Sequence, residues 1–233
     1  MIVYIKSSDG MLGIEVARKK GIKNINLSVK PPDGRTVVSA PLKAGEREIT
    51  KFLESKAEWI VAHRNKIILK AKNAPPEPRY LSGEEINIFG KKYILEVEAA
   101  EKFGMSYIDG RAVMKAPPDG TAEQRQACAV KSFKALLTRE AGKKIAYWEE
   151  KTQLKCSSWS VVRMKSRWGS CNVKTKKIRL SLMLVHKPPE CLDYVIVHEL
   201  THFVTRYHDA EFYSHMEKFY PESRKTAGLL KDK

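Results

Sequence analysis

The chain has 233 residues and a mass of 26.5 kDa. With 42% hydrophobic and 30% charged residues, it cannot be wholly disordered, fibrous or membrane-embedded, and it can bury one or two cores. Lys plus Arg number 43 against 27 Asp plus Glu, a formal charge of +16, so its field draws in phosphates, nucleic acid or acidic surfaces. Cys128, Cys156, Cys171 and Cys191 form no C-x-x-C pair, which excludes the usual signs of a disulfide framework or a thiolate zinc knuckle. The apolar start Met1–Lys6 is too short for a signal peptide and no run reaches the roughly 18 apolar residues of a spanning helix; the expectation is a cytoplasmic protein that engages no membrane.

In chain order, Ile25, Leu27 and Val29 alternate with polar residues, and Pro31-Pro32-Asp33-Gly34 turns the chain into Thr36-Val37-Val38, which predicts an antiparallel hairpin. From about Gly45 to Lys72 the apolar residues recur at three-to-four spacing, predicting one amphipathic helix ended by Pro75-Pro76-Glu77-Pro78. A second β region follows: Ile86–Gly90 turns into Tyr93–Val97, and Asp109-Gly110 turns into Ala112-Val113-Met114, together reading as a meander. Pro117-Pro118-Asp119-Gly120 repeats the earlier turn, but between different flanks, so it reads as reused turn chemistry and not as an internal repeat. Thr121 with Gln124 is a capping-box signature for a long helix whose buried stripe is Val130, Phe133, Leu137, Ala141, Ile145 and Trp148. A strand is expected over about Lys177 to His186, with Ile178, Leu180, Leu182 and Leu184 on one face. The chain thus reads as α+β: a β-rich N-terminal region over 1–118 with one helix, then a helix-strand-helix domain over 119–233.

The chemistry lies in His198-Glu199-Leu200-Thr201-His202. Leu192, Val195, Ile196, Leu200 and Phe203 form a helical stripe. On that helix His198 and His202 are one turn apart on one side, where both imidazoles reach one zinc ion. Glu199 then lies beside the open coordination position and takes the proton of zinc-bound water as that water attacks a carbonyl. A catalytic zinc needs a third protein ligand. His208 is the leading candidate, with Glu211 and Glu217 as alternatives; six residues of continuous helix turn about 600°, so His208 serves only if the helix ends or bends near Thr205 to Tyr207. Metzincins share the spacing but carry glycine where Thr205 stands, and no Met-turn follows.

Lys165-Ser166-Arg167-Trp168-Gly169-Ser170-Cys171, Leu180, Pro188-Pro189, Leu192-Asp193-Tyr194-Val195, the H-E-L-x-H segment with His208, then Phe212 and Pro221-Glu222 closely resemble the YgjP-like metal-dependent hydrolases, relatives of SprT-like and WLM zincin domains. The resemblance covers the C-terminal hundred residues. It implies a minimal zincin-like domain, Zn2+ held by His198, His202 and His208, and Glu199 as catalytic base. Around the third ligand this chain reads Tyr207-His208-Asp209, where many relatives have Asn-His-Ser.

Arg167 is a candidate for binding substrate or a neighbouring carboxylate, and Trp168 for lining the pocket or packing. Cys171 reads as structural, Asp209 as a hydrogen-bond partner of a ligating imidazole, and His63, His186 and His215 as lacking a second ligand at useful spacing. Lys151 to Pro189 carries ten basic residues and no acid; Arg163, Lys165, Arg167, Lys174 and Lys176 are expected to border the cleft. Three functions compete: a zinc peptidase acting on peptides, a nucleoside triphosphate (UTP-type) pyrophosphatase using the same metal, which the family resemblance suggests, and a DNA-associated SprT-like protease or nucleic-acid-binding module using the 151–189 segment.

Overall fold

The computed structural model describes residues 1–73, 78–108 and 110–231. The fold is mixed α+β, as expected. The chain divides into compact units of residues 1–77 and 78–233, well before the change of character at 118, because the second β region shares its core with the segments that follow it: Ile86, Ile88, Leu95, Ala112 and Met114 belong to one buried cluster with Phe133, Leu137, Leu180 and Ile196.

The first unit holds strands β1 (Ile2–Ser7), β2 (Gly10–Lys19), β3 (Asn26–Lys30) and β4 (Arg35–Pro41), then helices α1 (Glu46–Glu54) and α2 (Ala57–Lys72). Strict alternation puts Val3, Ile5, Leu12, Ile14, Val16, Val38 and Ala40 on the buried face with Ile49, Leu53, Ile60 and Val61 from the helices, as a one-sided sheet requires. Two helices stand where one was expected. Between them the Ser55 hydroxyl donates to the Phe52 carbonyl at 2.7 Å and Lys56 N–H bonds Leu53 at i−3; this local bonding competes with the α ladder and breaks it without Pro or Gly. The Pro75–Glu77 part of the predicted stop lies outside the described residues.

The second unit opens with β5 (Glu85–Ile88), β6 (Lys91–Ala99), β7 (Gly104–Ile108) and β8 (Arg111–Ala116). Neither sheet is a meander. Their orders are β1-β2-β4-β3 and β5-β6-β8-β7: two antiparallel hairpins each, joined by a parallel pairing of β2 with β4 and of β6 with β8. The sequence repeats accordingly. Asp33-Gly34-Arg35-Thr36-Val37-Val38-Ser39-Ala40-Pro41 matches Asp109-Gly110-Arg111-Ala112-Val113-Met114-Lys115-Ala116-Pro117, and Ile14-Glu15-Val16 matches Leu95-Glu96-Val97. Glu15 pairs with Arg35 at 3.6 Å and Glu96 with Arg111 at 3.5 Å, and Gly34 and Gly110 both have positive φ, the backbone that only glycine adopts cheaply. An internal repeat therefore exists; Pro-Pro-Asp-Gly does not mark it, falling between β3 and β4 in one copy and after β8 in the other.

Helix α3 (Ala122–Thr152) starts at the predicted capping box, with both the Thr121 and Gln124 halves formed. Behind it come β9 (Ser158–Val162), β10 (Gly169–Asn172) and β11 (Lys177–Ser181) in the order β10-β11-β9, so β10 is an edge strand. The predicted strand to His186 stops at Ser181 and continues as a 3-10 helix, Leu182–His186, whose three-residue repeat buries Leu182 and Val185 together with Leu184. Helices α4 (Pro189–Thr201), α5 (Ala210–Phe219) and α6 (Ser223–Leu229) complete the unit. Among the described residues no helix is long and apolar enough to cross a membrane.

Candidate metal centre

Helix α4 starts with Pro189 at its first turn, where a missing N–H costs nothing. Its stripe Leu192, Val195, Ile196 and Leu200 is fully buried. Asp193 accepts from Trp148 Nε1 at 2.8 Å and from Lys144 Nζ at 2.5 Å, tying α4 to α3. Packing therefore fixes both the height and the rotation of the helix that presents His198 and Glu199.

The helix ends earlier than expected, at Thr201 with His202 as its C-cap. Its last turn tightens through i→i+3 bonds, Phe203 N–H to Leu200 and Val204 N–H to Thr201. The chain then doubles back, and His208 Nε2 comes to 3.1 Å from His198 Nε2. One ligand atom from each of His198, His202 and His208 lies within 4.8 Å of the others. Tetrahedral coordination with about 2.05 Å zinc–nitrogen bonds separates two ligand nitrogens by about 3.3 Å, so the His198–His208 approach is of the right size for a shared ion. His202 Nδ1 lies 3.2 Å from the Thr205 carbonyl; donating there leaves Nε2 as a free acceptor, the arrangement of a metal-binding imidazole. Burial, reinforced by His202 and His208, pushes the His198 imidazole down to about 3, so it is unprotonated at neutral pH. The donor set fits a divalent ion.

Beneath the cluster lies Phe212, fully buried, its ring centroid 4.9, 4.9 and 4.7 Å from those of His198, His202 and His208. Asp209, expected beside an imidazole, instead caps α5: its carboxylate accepts the Phe212 N–H at 3.1 Å, which sets where that ring sits. Neither alternative third ligand joins the cluster. Glu217 pairs with Arg224, and Glu211 lies 3.9 Å from His215.

Glu199 is only 5% exposed. Burial raises its carboxyl to about 7, against the lowering effects of a hydrogen bond from Cys171 and the charge of Arg167. The Cys171 thiol is itself pushed up to about 12, first by burial and then by Glu199. It remains S–H, a donor to the carboxylate and not a nucleophile. Edge strand β10 passes so close that a Cβ on Gly169 would meet Glu199 Oε1 at 2.5 Å and Val195 Cγ1 at 2.7 Å; only glycine fits there.

A cleft of about 980 Å³ opens over these groups, and Arg167 and Trp168 line it together with Tyr194, Lys174 and Arg206. Trp168 Nε1 donates to the Leu230 carbonyl at 2.9 Å and Lys187 Nζ sits 5.4 Å from its ring centroid, so the indole both packs α6 and walls the cleft. Of the basic residues expected at its border, Arg167 and Lys174 line the cleft, while Arg163, Lys165 and Lys176 are not among the residues that do. Tyr194 could have been found from sequence, since it lies four residues before His198 and hence on the same helical side; its ring centroid is 5.8 Å from that of His198. Arg206 follows the helix end and no periodicity points to it. The other histidines are engaged elsewhere: His63 stacks on Trp59, His186 Nδ1 lies 2.7 Å from the Asn87 carbonyl, and His215 stacks on Phe219.

Residues 23–233 match the YgjP-like, metallopeptidase domain family. The chain belongs to that family. As a YgjP-like metallopeptidase domain it is a metallohydrolase of peptidase type, dependent on a divalent metal. Solved structures similar to it include the metallopeptidase zymogen of Pyrococcus abyssi abylysin, 19% identical over 39% of this chain and 90% of that one with a TM-score of 0.36. Another is the metallopeptidase zymogen of Methanocaldococcus jannaschii jannalysin, 23% identical over 39% and 92% with a TM-score of 0.35. These partial overlaps contribute nothing to the reading of the site. No curated protein matches the chain.

Proposed function

We propose that the YgjP-like chain is a zinc peptidase in which His198, His202 and His208 hold the ion and Glu199 is the general base. The observation that carries this reading is the convergence of three imidazole nitrogens beside a buried carboxylate raised to about 7. Bound there, zinc supplies Lewis acidity, lowering the pKa of water toward neutrality and polarising a carbonyl oxygen. Glu199 accepts a proton from the attacking water on a carboxylate oxygen and later returns it to the leaving amine; a base whose pKa lies near the working pH does both. The Cys171 S–H and the Arg167 charge stabilise the ionised form and hold it ready. Tyr194 and Trp168 wall the cleft and exclude water from one side of the substrate. The four cysteines, all free, suit a reducing cytoplasm.

Triphosphate hydrolysis by the same groups is the reading to test against. Purified protein should contain about one zinc per chain and cleave members of a peptide library, while His198→Ala and His202→Ala lose both metal and cleavage. Turnover of nucleoside triphosphates with no peptide cleaved, or full zinc occupancy in both variants, would contradict the proposal.

A further inference from the structure

The exposed charges that line the cleft over the histidines are positive. Arg167 comes from the segment before β10, Lys174 from the turn after it, and Arg206 from the connection after α4, and all three line the cleft. Glu199 is the one acid among its described lining residues, and it is buried. Arg167, Lys174 and Arg206 are all exposed. The turn that carries Lys174 is fixed by Thr175 N–H donating to Asn172 Oδ1 at 3.0 Å. A cleft lined by one sign of charge concentrates ligands of the other.

A peptide lying in the cleft offers single side-chain carboxylates, and the cations that line the cleft are exposed and able to meet them.

We propose that the cleft selects peptides bearing Asp or Glu beside the scissile bond, recognised by Lys174 and Arg206 together with Arg167; the inference rests on the peptidase reading above. The test uses the full chain loaded with zinc and carrying Glu199→Gln, so that bound peptides stay intact. Fluorescent peptides containing Asp and Glu are compared by anisotropy with the Asn and Gln versions of the same sequences. The acidic peptides should bind at least tenfold more tightly, the gap should shrink as salt rises and screens exposed charge, and the double substitution Lys174→Gln with Arg206→Gln should bring it to within about twofold. Equal affinities for both peptide sets, with peptide cleavage by the wild-type enzyme intact, overturn the inference alone. A nucleoside triphosphate or a short DNA strand binding more tightly than the acidic peptides also overturns it. Charge-selective peptide binding without any cleavage by the wild-type enzyme leaves the recognition standing and overturns the peptidase reading.

Discussion

The two four-stranded sheets share an order, a parallel central pairing, a Glu–Arg pair across that pairing and a positive-φ glycine, yet they do different things. In the first unit the sheet buries its apolar face against α1 and α2 and completes a core of its own. In the second, the equivalent face joins the core that carries the metal centre. The tight turns show how. Gly10, the first residue of β2, has open space where a Cβ would be, whereas a Cβ on Gly90, between β5 and β6, would meet Pro188 Cα at 3.2 Å, at the N-cap of α4. Phe89 N–H adds a bond to the Val185 carbonyl at 2.7 Å. One small module thus serves in one place to complete a core with two helices and in the other as a buttress for the helix bearing His198 and Glu199.

Removing equivalent core side chains should separate these roles most strongly. Ile14 and Leu95 occupy matching, fully buried positions, and Ile14→Ala or Leu95→Ala each costs about 2–5 kcal/mol of the unit that contains it. Melting followed by calorimetry, with metal content measured in parallel, should show Leu95→Ala losing metal at a lower temperature while Ile14→Ala keeps the wild-type metal profile. If Ile14→Ala releases the metal just as early, the first sheet is no independent unit.

The turn glycines give a smaller contrast. Gly10→Ala and Gly90→Ala both force an alanine into positive φ, costing about 1 kcal/mol, but only the second also presses on Pro188. Gly90→Ala should be the more destabilising by about 1 kcal/mol and should alone weaken metal binding in a zinc titration; matched effects on both measurements would remove the buttress argument. Smallest of all, the Glu15–Arg35 and Glu96–Arg111 pairs are exposed, and a double-mutant cycle on either should return under about 1 kcal/mol. A markedly larger coupling in one sheet would mean that the repeat is not energetically equivalent.

Features fixed by neighbours in sequence were legible. The capping box at Thr121 starts α3, and the apolar stripe with His198 and His202 describes α4. Features fixed by distant neighbours were not. Alternation in β6 and β8 is the same whether they pair parallel or antiparallel, so the crossover is hidden in the sequence and the second β region reads as a meander. Ile178, Leu180, Leu182 and Leu184 are buried as a continuous strand would also bury them, so periodicity does not separate strand from 3-10 helix here. At the site, spacing supplies two imidazoles and a carboxylate, and rotation shows that His208 needs a helix end. The contributions of Gly169, Phe212 and Arg206 depend on close approach between segments, which no spacing encodes.

The most direct test of the central claim is metal content and peptide turnover measured on one preparation of Glu199→Gln. The carboxamide removes the base without removing a ligand, so the variant should keep about one zinc per chain and its fold while turnover falls roughly 100-fold or more. A variant that loses its zinc, or that cleaves peptide at the wild-type rate with zinc in place, would contradict the assignment of His198, His202 and His208 as the metal site with Glu199 as its base.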